Sequence, residues 1–431
     1  MSNKYSVTNI VSNKIMPVAE KIENQKHIQA IKNGMIAITP IIIVGSIFLL
    51  PMAIMNLLGS GVFYDFISKN IAILTYGVDF TTGLLSLYAT YFIANNLAIS
   101  YKIKSNQVAI ASIITHLILT SVIKDGKLDI SYLGSKGLFT AIISSILTIE
   151  LYRFCVNKNL YIKLPDSVPE MVGESFSSLI PIFITSVVAV ILSRVTFYFT
   201  GSIFPEALMN MLAPAVTSMD SLPAMLIIIF ITQLFWFFGL HGPSITSAVW
   251  APFAIQYGAA NVAAYAAGQE VNHIFTFGFY FAILSVTGSG LTLGLNLMML
   301  KAKSETYKSV GKVSLIPSLF GINEPLIFGT PMLLNPFMFI PFVFGPLIIT
   351  SITYFSMSTG LVGKPVAEPP GFLPPGVGAF IMTLDIKSVI LVVVNLVVMA
   401  LIYYPFFRAM DNNQFKIENQ EKMFHHNLLK Q

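Results

Sequence analysis

The stretch Val389-Ile390-Leu391-Val392-Val393-Val394-Asn395-Leu396-Val397-Val398-Met399-Ala400-Leu401-Ile402-Tyr403-Tyr404-Pro405-Phe406-Phe407 contains no charged side chain and stops at Arg408. A helix of about 20 such residues spans the hydrocarbon core of a bilayer. Comparable apolar runs start near Ile36, Ile71, Gln107, Leu138, Phe176, Ala224, His273 and Phe337. Across 431 residues, 55% are hydrophobic and only 10% charged, against about 25% charged in a soluble domain. That is too little charge to cover a water-facing surface of this length. Soluble α/β proteins have shorter buried runs. The reading is an all-α integral membrane protein with about ten transmembrane helices.

The net charge of +5 does not point to nucleic acid. The basic residues sit in short loops between apolar runs: Lys102 and Lys104; Arg153, Lys158 and Lys163; Lys301, Lys303, Lys308 and Lys312; Arg408 and Lys416. With a basic N-terminus inside and Ser244 to Ala264 crossing once, all of these fall on one side, which the positive-inside rule makes cytoplasmic. Both termini are then cytoplasmic. The other side carries Asp65, Lys69, Glu206 and Asp220, and a loop from Lys124 to Lys136 whose mixed charge runs weakly against the rule. Nothing in the first 30 residues resembles a cleavable signal peptide, so the first span is expected to act as the insertion signal. Ser6 to Asn33 reads as an amphipathic helix, with Ile10, Val11, Ile15, Val18, Ile22, Ile28 and Ile31 between lysines. It suits either an anionic lipid leaflet or a cap over the cytoplasmic face. The only cysteine is Cys155, which excludes an intrachain disulfide.

Two stretches resist reading as spans. Ser314 to Asn335 is apolar but broken by Pro317, Pro325 and Pro331, and Gly360 to Gly378 carries Pro365, Pro369, Pro370, Pro374 and Pro375. Proline removes a backbone donor, and unpaired backbone can sit at membrane depth only against a protein-walled cavity. Both read as re-entrant hairpins; the second also fits an ordinary extracytoplasmic loop. The polar segment 161–175, with Pro165 and Pro169, reads as a linker between a half at 1–160 and a half at 176–410, followed by a tail at 411–431.

Ionisable groups at membrane depth are costly and usually functional. Glu324 lies in Gly321-Ile322-Asn323-Glu324-Pro325-Leu326-Ile327-Phe328-Gly329, among apolar residues, glycine and proline. It suits a proton acceptor, or a carboxylate tied to the backbone of a broken helix. His241, in Phe237-Phe238-Gly239-Leu240-His241-Gly242-Pro243, ends an apolar run. Imidazole both donates to and accepts from a hydroxyl, which suits sugar recognition; a structural bond to a carbonyl is the plainer alternative. His116, His273 and Asp79 are weaker candidates, and Asn95 and Asn96 either cap a span or face substrate. Glu150 and Arg153 are spaced for an i,i+3 ion pair. Gly288-Ser289-Gly290 with Gly294 lacks the strand of a dinucleotide loop, so close helix packing is the reading. No metal-ligand spacing and no cofactor motif is present: His425 and His426 sit on a polar tail.

Four stretches taken together resemble enzyme IIC, the membrane subunit of the bacterial phosphoenolpyruvate-dependent sugar phosphotransferase system (PTS), within its lactose/cellobiose/diacetylchitobiose family. They are Asn24-Gln25-Lys26-His27 leading to Pro40 and Gly45-Ser46; Leu164-Pro165-Asp166-Ser167-Val168-Pro169; Phe237-Phe238-Gly239-Leu240-His241-Gly242; and Gly321-Ile322-Asn323-Glu324-Pro325 through Asn335-Pro336. The resemblance implies a homodimer whose first half dimerises and whose second half holds the sugar, by default a β-linked disaccharide. It gives His241 a hydrogen bond to the sugar's 6-hydroxyl and Glu324 the role of base or orienting acceptor. It also sets Asn323, Gly242, Ser289 and Asn335 among the sugar-binding residues. The phosphoryl donor would be a cysteine of a separate IIB protein, itself supplied by IIA; no such cysteine loop surrounds Cys155. Two departures stand out. Thr287 and Gly288 precede Ser289-Gly290 where the family often has two glycines. The proline-rich hairpin usually carries a tryptophan, whereas here it reads Lys364-Pro365-Val366-Ala367-Glu368-Pro369-Pro370, and the only tryptophans are Trp236 and Trp250. The competing reading is a secondary transporter that couples sugar entry to protons through Glu324. An intramembrane hydrolase lacks a recognisable nucleophile and base.

Overall fold

The computed structural model describes residues 21, 25–58, 60–103, 106–124, 126–165, 168–330, 332, 334–371 and 373–428. Most of the expected amphipathic segment Ser6 to Asn33 lies outside them; its end forms the start of the helix Lys26–Ala37. The described chain is overwhelmingly helical. Its β-structure comprises a small antiparallel hairpin, Val122–Lys124 with Lys127–Asp129, inside the mixed-charge loop, and an isolated bridge between Val286 and Gly288. Among the described residues six helical segments are long and apolar enough to cross a membrane: Lys26–Phe48, Ile71–Ser100, Ser135–Asn157, Met171–Thr200, Pro336–Ser358 and Lys387–Gln420. A seventh arises if Phe204–Met219 and Leu222–Phe237 count as one broken span. The run from Gln107 forms a shorter apolar helix.

The run from His273 is not one continuous helix. Phe277–Phe279 passes into a π-helical turn at Tyr280–Leu284, the backbone reverses through positive φ at Gly288, Gly290 and Leu291, and helix resumes at Leu293–Met299. The run from Phe337 also contains a π turn, Ile340–Phe344, before the helix Gly345–Ser358. Single π turns inside helices are rare and concentrate at functional sites. In the stretch 314–335, the helix Glu305–Leu319 ends, the chain turns at Gly321 and a short helix forms at Glu324–Gly329. In the proline-rich stretch the described residues of 361–376 form no helix; the N–H groups of Val366 and Ala367 both donate to the Met382 carbonyl, at 2.8 and 3.0 Å.

The backbone divides into two compact units. The described residues of 12–219 and 247–273 form one, and those of 220–246 and 274–431 form the other. The division falls at 219/220, within the helix Gly242–Ala266 and at 273/274, so Glu170–Thr200 packs on Asn106–Thr120 and Leu138–Asn157 of the first unit. That unit is joined by buried small polar groups. The Thr148 hydroxyl donates to Thr115 at 2.9 Å, Ser145 donates to the Thr90 carbonyl at 3.0 Å, and His116 bonds to Ser86 and Ser144 at 2.7 and 3.3 Å. Such bonds hold helices together where lipid offers no hydrophobic drive for association.

In the second unit, Leu222–Phe237, Gly345–Ser358 and Lys387–Leu428 pack in turn. The Asn395 amide donates to the Thr353 hydroxyl at 2.9 Å and the Tyr403 hydroxyl to the Gly290 carbonyl at 3.0 Å. Gly294 lies so close to Ala400 that an added Cβ would come within 2.6 Å of it, so the glycine does serve close packing. On the face of the long helix opposite the buried Asn395 and Met399, Ile390, Val393, Val397 and Leu401 are each more than half exposed. Buried polar groups inside and bare apolar groups outside is the arrangement that a lipid solvent favours.

Candidate functional site

His241 and Glu324 both belong to the second unit, and the same local device delivers each of them. The helix Leu222–Phe237 ends in a Schellman turn. Leu240 N–H donates to the Phe235 carbonyl at 2.9 Å, Gly239 N–H donates to Trp236 at 2.9 Å, and Gly239 takes φ +84°. The helix Glu305–Leu319 ends likewise, with Ile322 N–H on the Pro317 carbonyl at 3.1 Å, Gly321 N–H on Ser318 at 3.3 Å and Gly321 at φ +78°. Each glycine adopts a left-handed conformation that other residues rarely accept. The chain leaves each turn into a new helix start: His241 immediately precedes the helix Gly242–Ala266, and Glu324 is the first residue of Glu324–Gly329.

Both side chains are about half exposed, His241 at 50% and Glu324 at 44%, and His241 Nε2 stands 4.0 Å from Glu324 Oε1. That is too far for a direct hydrogen bond. Among the described residues Glu324 makes no side-chain hydrogen bond and no closer ion pair. The buried Trp236 ring packs against His241 at 4.7 Å between centroids, and Phe328, from the helix that Glu324 opens, has its ring centroid 6.4 Å from that of the same indole. The Nδ1 side of the imidazole accepts from Ser244 N–H at 3.2 Å and lies 2.6 Å from the Ser244 hydroxyl. Gly242 lets the new helix fold back on the old one: a Cβ there would sit 2.0 Å from the Thr232 carbonyl oxygen. The Thr232 and Thr246 hydroxyls, 2.7 Å apart, pin the two helices together.

The other expected sugar ligands are engaged with protein. Asn323 is buried, and its amide donates to the Ser289 carbonyl and the Thr292 hydroxyl, both at 2.8 Å. It also fills the space over Gly288, where a Cβ would come within 2.1 Å of its Cγ. Asn323 therefore fastens the reversed turn at 288–291 to the start of the Glu324 helix. Ser289 is buried, with its hydroxyl on the Tyr280 phenol. Asn335 caps the helix Pro336–Phe339 by accepting from Phe337 N–H at 2.9 Å, and its amide faces the Met410 sulfur at 3.4 Å. The residue before it, Leu334, donates its N–H to the Phe237 carbonyl at 3.0 Å, which ties this segment to the helix end that carries His241. Ser244 and Trp236 shape the site without having been read as part of it. The spacing His241-Gly242-Pro243-Ser244, a candidate cap three residues before a hydroxyl, is the signal in the sequence for Ser244.

The weaker candidates have structural surroundings. His273 stacks on Tyr257 at 4.5 Å and its backbone is held by Asn261. Glu150 pairs with Arg153 at 3.0 Å, as its spacing indicated, and also with His27 at 2.9 Å. Asn96 donates to the Phe92 carbonyl of its own helix at 2.8 Å. Glu368 is buried against Gly278, whose N–H it accepts. Cys155 is buried with a free thiol.

The profile of the family described as "Phosphotransferase system, EIIC" matches residues 32–346. The chain is 35% identical to the lichenan permease IIC component of Bacillus subtilis, over 96% of this chain and 95% of that one. It is 33% identical to the cellobiose-specific EIIC component of Geobacillus stearothermophilus, over 94% of each. With the lactose-specific EIICB component of Lacticaseibacillus casei it shares 34% identity over 94% of this chain and 71% of that longer protein. Its fold superposes with a TM-score of 0.87 and 32% identity on the crystal structure of ChbC, the IIC component of the N,N'-diacetylchitobiose-specific phosphotransferase system, covering 95% of this chain and 99% of that one.

Proposed function

Because the chain belongs to the EIIC family of the phosphotransferase system, a family of membrane-embedded sugar permeases that work with IIB and IIA components, we propose that it binds a β-linked disaccharide of the cellobiose, lactose or chitobiose type and presents the sugar's 6-hydroxyl between His241 and Glu324 for phosphorylation by a phosphocysteine of its IIB partner. The observation that carries this reading is the 4.0 Å gap between Nε2 and Oε1. An oxygen placed about 2.8 Å from each atom subtends an angle of about 90° between them, within about 20° of the tetrahedral arrangement of a hydroxyl that accepts one bond and donates another. His241 then holds the hydroxyl oxygen and Glu324 takes its proton. The oxygen attacks phosphorus, the S–P bond breaks, and the cysteine thiolate of the partner leaves. Such a transfer depends mainly on positioning and charge stabilisation, so a membrane subunit contributes by fixing the nucleophile.

The wider reading is a homodimer in the cytoplasmic membrane of a bacterium, in contact with lipid. It has about ten spans plus re-entrant segments at 314–335 and 360–378, and both termini are cytoplasmic. The half at 1–160 dimerises, and the half at 176–410 holds the sugar. Supporting the spans are the apolar helices, and supporting the re-entrant segments are the broken helices around Gly321 and the non-helical proline-rich stretch. Uptake with IIA and IIB supplied should yield sugar 6-phosphate inside the cell. Sugar arriving unmodified would replace this reading with proton-coupled transport through Glu324. Disulfide crosslinks between identical subunits should form through positions before Tyr161; efficient crosslinking only through positions beyond Ala224 would reverse the assignment of halves.

A further inference from the structure

The first turn of a helix leaves N–H groups without intrahelical acceptors, and a side-chain oxygen of Ser, Thr, Asp or Asn at the N-cap commonly meets one of them. At the start of Gly242–Ala266 a histidine occupies that place. Pro243 offers no N–H, and the Ser244 N–H is shared between the His241 carbonyl at 3.1 Å and His241 Nδ1 at 3.2 Å. A backbone N–H only donates, so Nδ1 is an acceptor, and a neutral imidazole that accepts at Nδ1 carries its proton on Nε2. With Nδ1 unprotonated, the Ser244 hydroxyl, 2.6 Å away, donates to it as well. Nε2 is the nitrogen that faces Glu324.

We propose that Ser244 is a positioning residue for the sugar: it caps through His241 and so locks the ring as the Nε2–H tautomer, which makes His241 a donor to the sugar hydroxyl oxygen and leaves Glu324 as the acceptor of its proton. The roles of the two groups are then not interchangeable. The order donor, hydroxyl, acceptor is set by a helix cap on the far side of the imidazole. The functional part of this inference rests on the sugar-presenting role proposed above; the tautomer does not.

The test uses the full-length protein in membranes with ¹⁵N-labelled histidine and no sugar. The chain has six histidines, so the His241 signals are those lost in His241→Gln. The wild type should show His241 with Nδ1 unprotonated and Nε2 protonated. Ser244→Ala should shift and broaden those signals through exchange between ring states. It should also lower sugar affinity and single-turnover phosphorylation by about tenfold, the value of one hydrogen bond, and Ser244→Thr should restore both. A wild-type His241 protonated at Nδ1 would overturn the proposal. So would Ser244→Ala with wild-type signals and wild-type turnover. Since the tautomer is read without sugar or phosphoryl donor, a failure of the transport reading would show in the product of uptake and not in this spectrum.

Discussion

Among the described residues two His–Glu pairs form, one in each unit, and they differ in what surrounds them. In the first unit His27 Nε2 meets Glu150 Oε1 at 2.9 Å, Arg153 takes the other carboxylate oxygen at 3.0 Å, and Gln25 occupies His27 Nδ1 at 3.0 Å. Lys26 and Arg153 lie over the Tyr101 ring at 4.6 and 4.3 Å. Every polar atom of that pair has a protein partner. In the second unit the His241 and Glu324 atoms stand 4.0 Å apart, and protein satisfies only the Nδ1 side of the imidazole. The positions differ too: Glu150 sits within the helix Leu138–Asn157, whereas Glu324 opens a six-residue helix after a glycine turn. A closed pair ties helices together. An open one, built at two helix ends, leaves room for the oxygen of a ligand.

The most severe way to break the open pair is Glu324→Gln, which keeps the size and one acceptor oxygen but cannot take a proton. Sugar affinity should fall modestly and single-turnover phosphorylation by roughly 10²–10⁴-fold, the loss typical of a general base. Unchanged phosphorylation at saturating sugar would remove the base role and leave Glu324 a binding group. His241→Ala should reduce affinity and turnover together, since a recognition bond and a positioning contact are lost at once. Gly321→Ala probes the turn that carries Glu324. The added Cβ finds only ordinary contacts, at 3.6 Å, so its cost is the left-handed backbone at φ +78°, about 1–2 kcal/mol. Thermal unfolding should register that loss, with sugar affinity falling several-fold as Glu324 is displaced. The closed pair should respond in the opposite manner. Glu150→Gln should lower stability by less than about 1 kcal/mol, because its carboxylate is 36% exposed and solvent screens it, and turnover per folded molecule should stay at the wild-type level. A large loss of phosphorylation there would dissolve the distinction between the two pairs. The smallest effect is expected at Cys155→Ala: uptake with partner proteins supplied should be nearly intact, because the proposed phosphoryl donor is a cysteine of the IIB partner. Abolished uptake with normal insertion would contradict that.

The sequence by itself was enough to determine the membrane class, because charge-free runs of bilayer length have few other physical explanations. It also singled out His241 and Glu324, because ionisable groups at apolar depth are rare, and it anticipated the Glu150–Arg153 pair from helical spacing. Tertiary structure decided what spacing along a chain cannot. The run from His273 has the apolar length of one span, yet its glycines at 288 and 290 reverse the backbone, and only contact with Asn323, Phe342 and Tyr403 shows why side chains are excluded there. Asn323 and Asn335 stand in the same motif as Glu324, but their amides are consumed by backbone and neighbouring side chains, which depends on residues distant in sequence. His27 and Glu150, 123 positions apart, became partners only on folding. The tautomer proposed for His241 rests on a helix cap, a geometry that exists only once Gly239 has turned the chain. Composition and period report the solvent that each segment meets, because that is a property of local sequence. Which polar atoms are left over for a ligand depends on where every other donor and acceptor comes to rest.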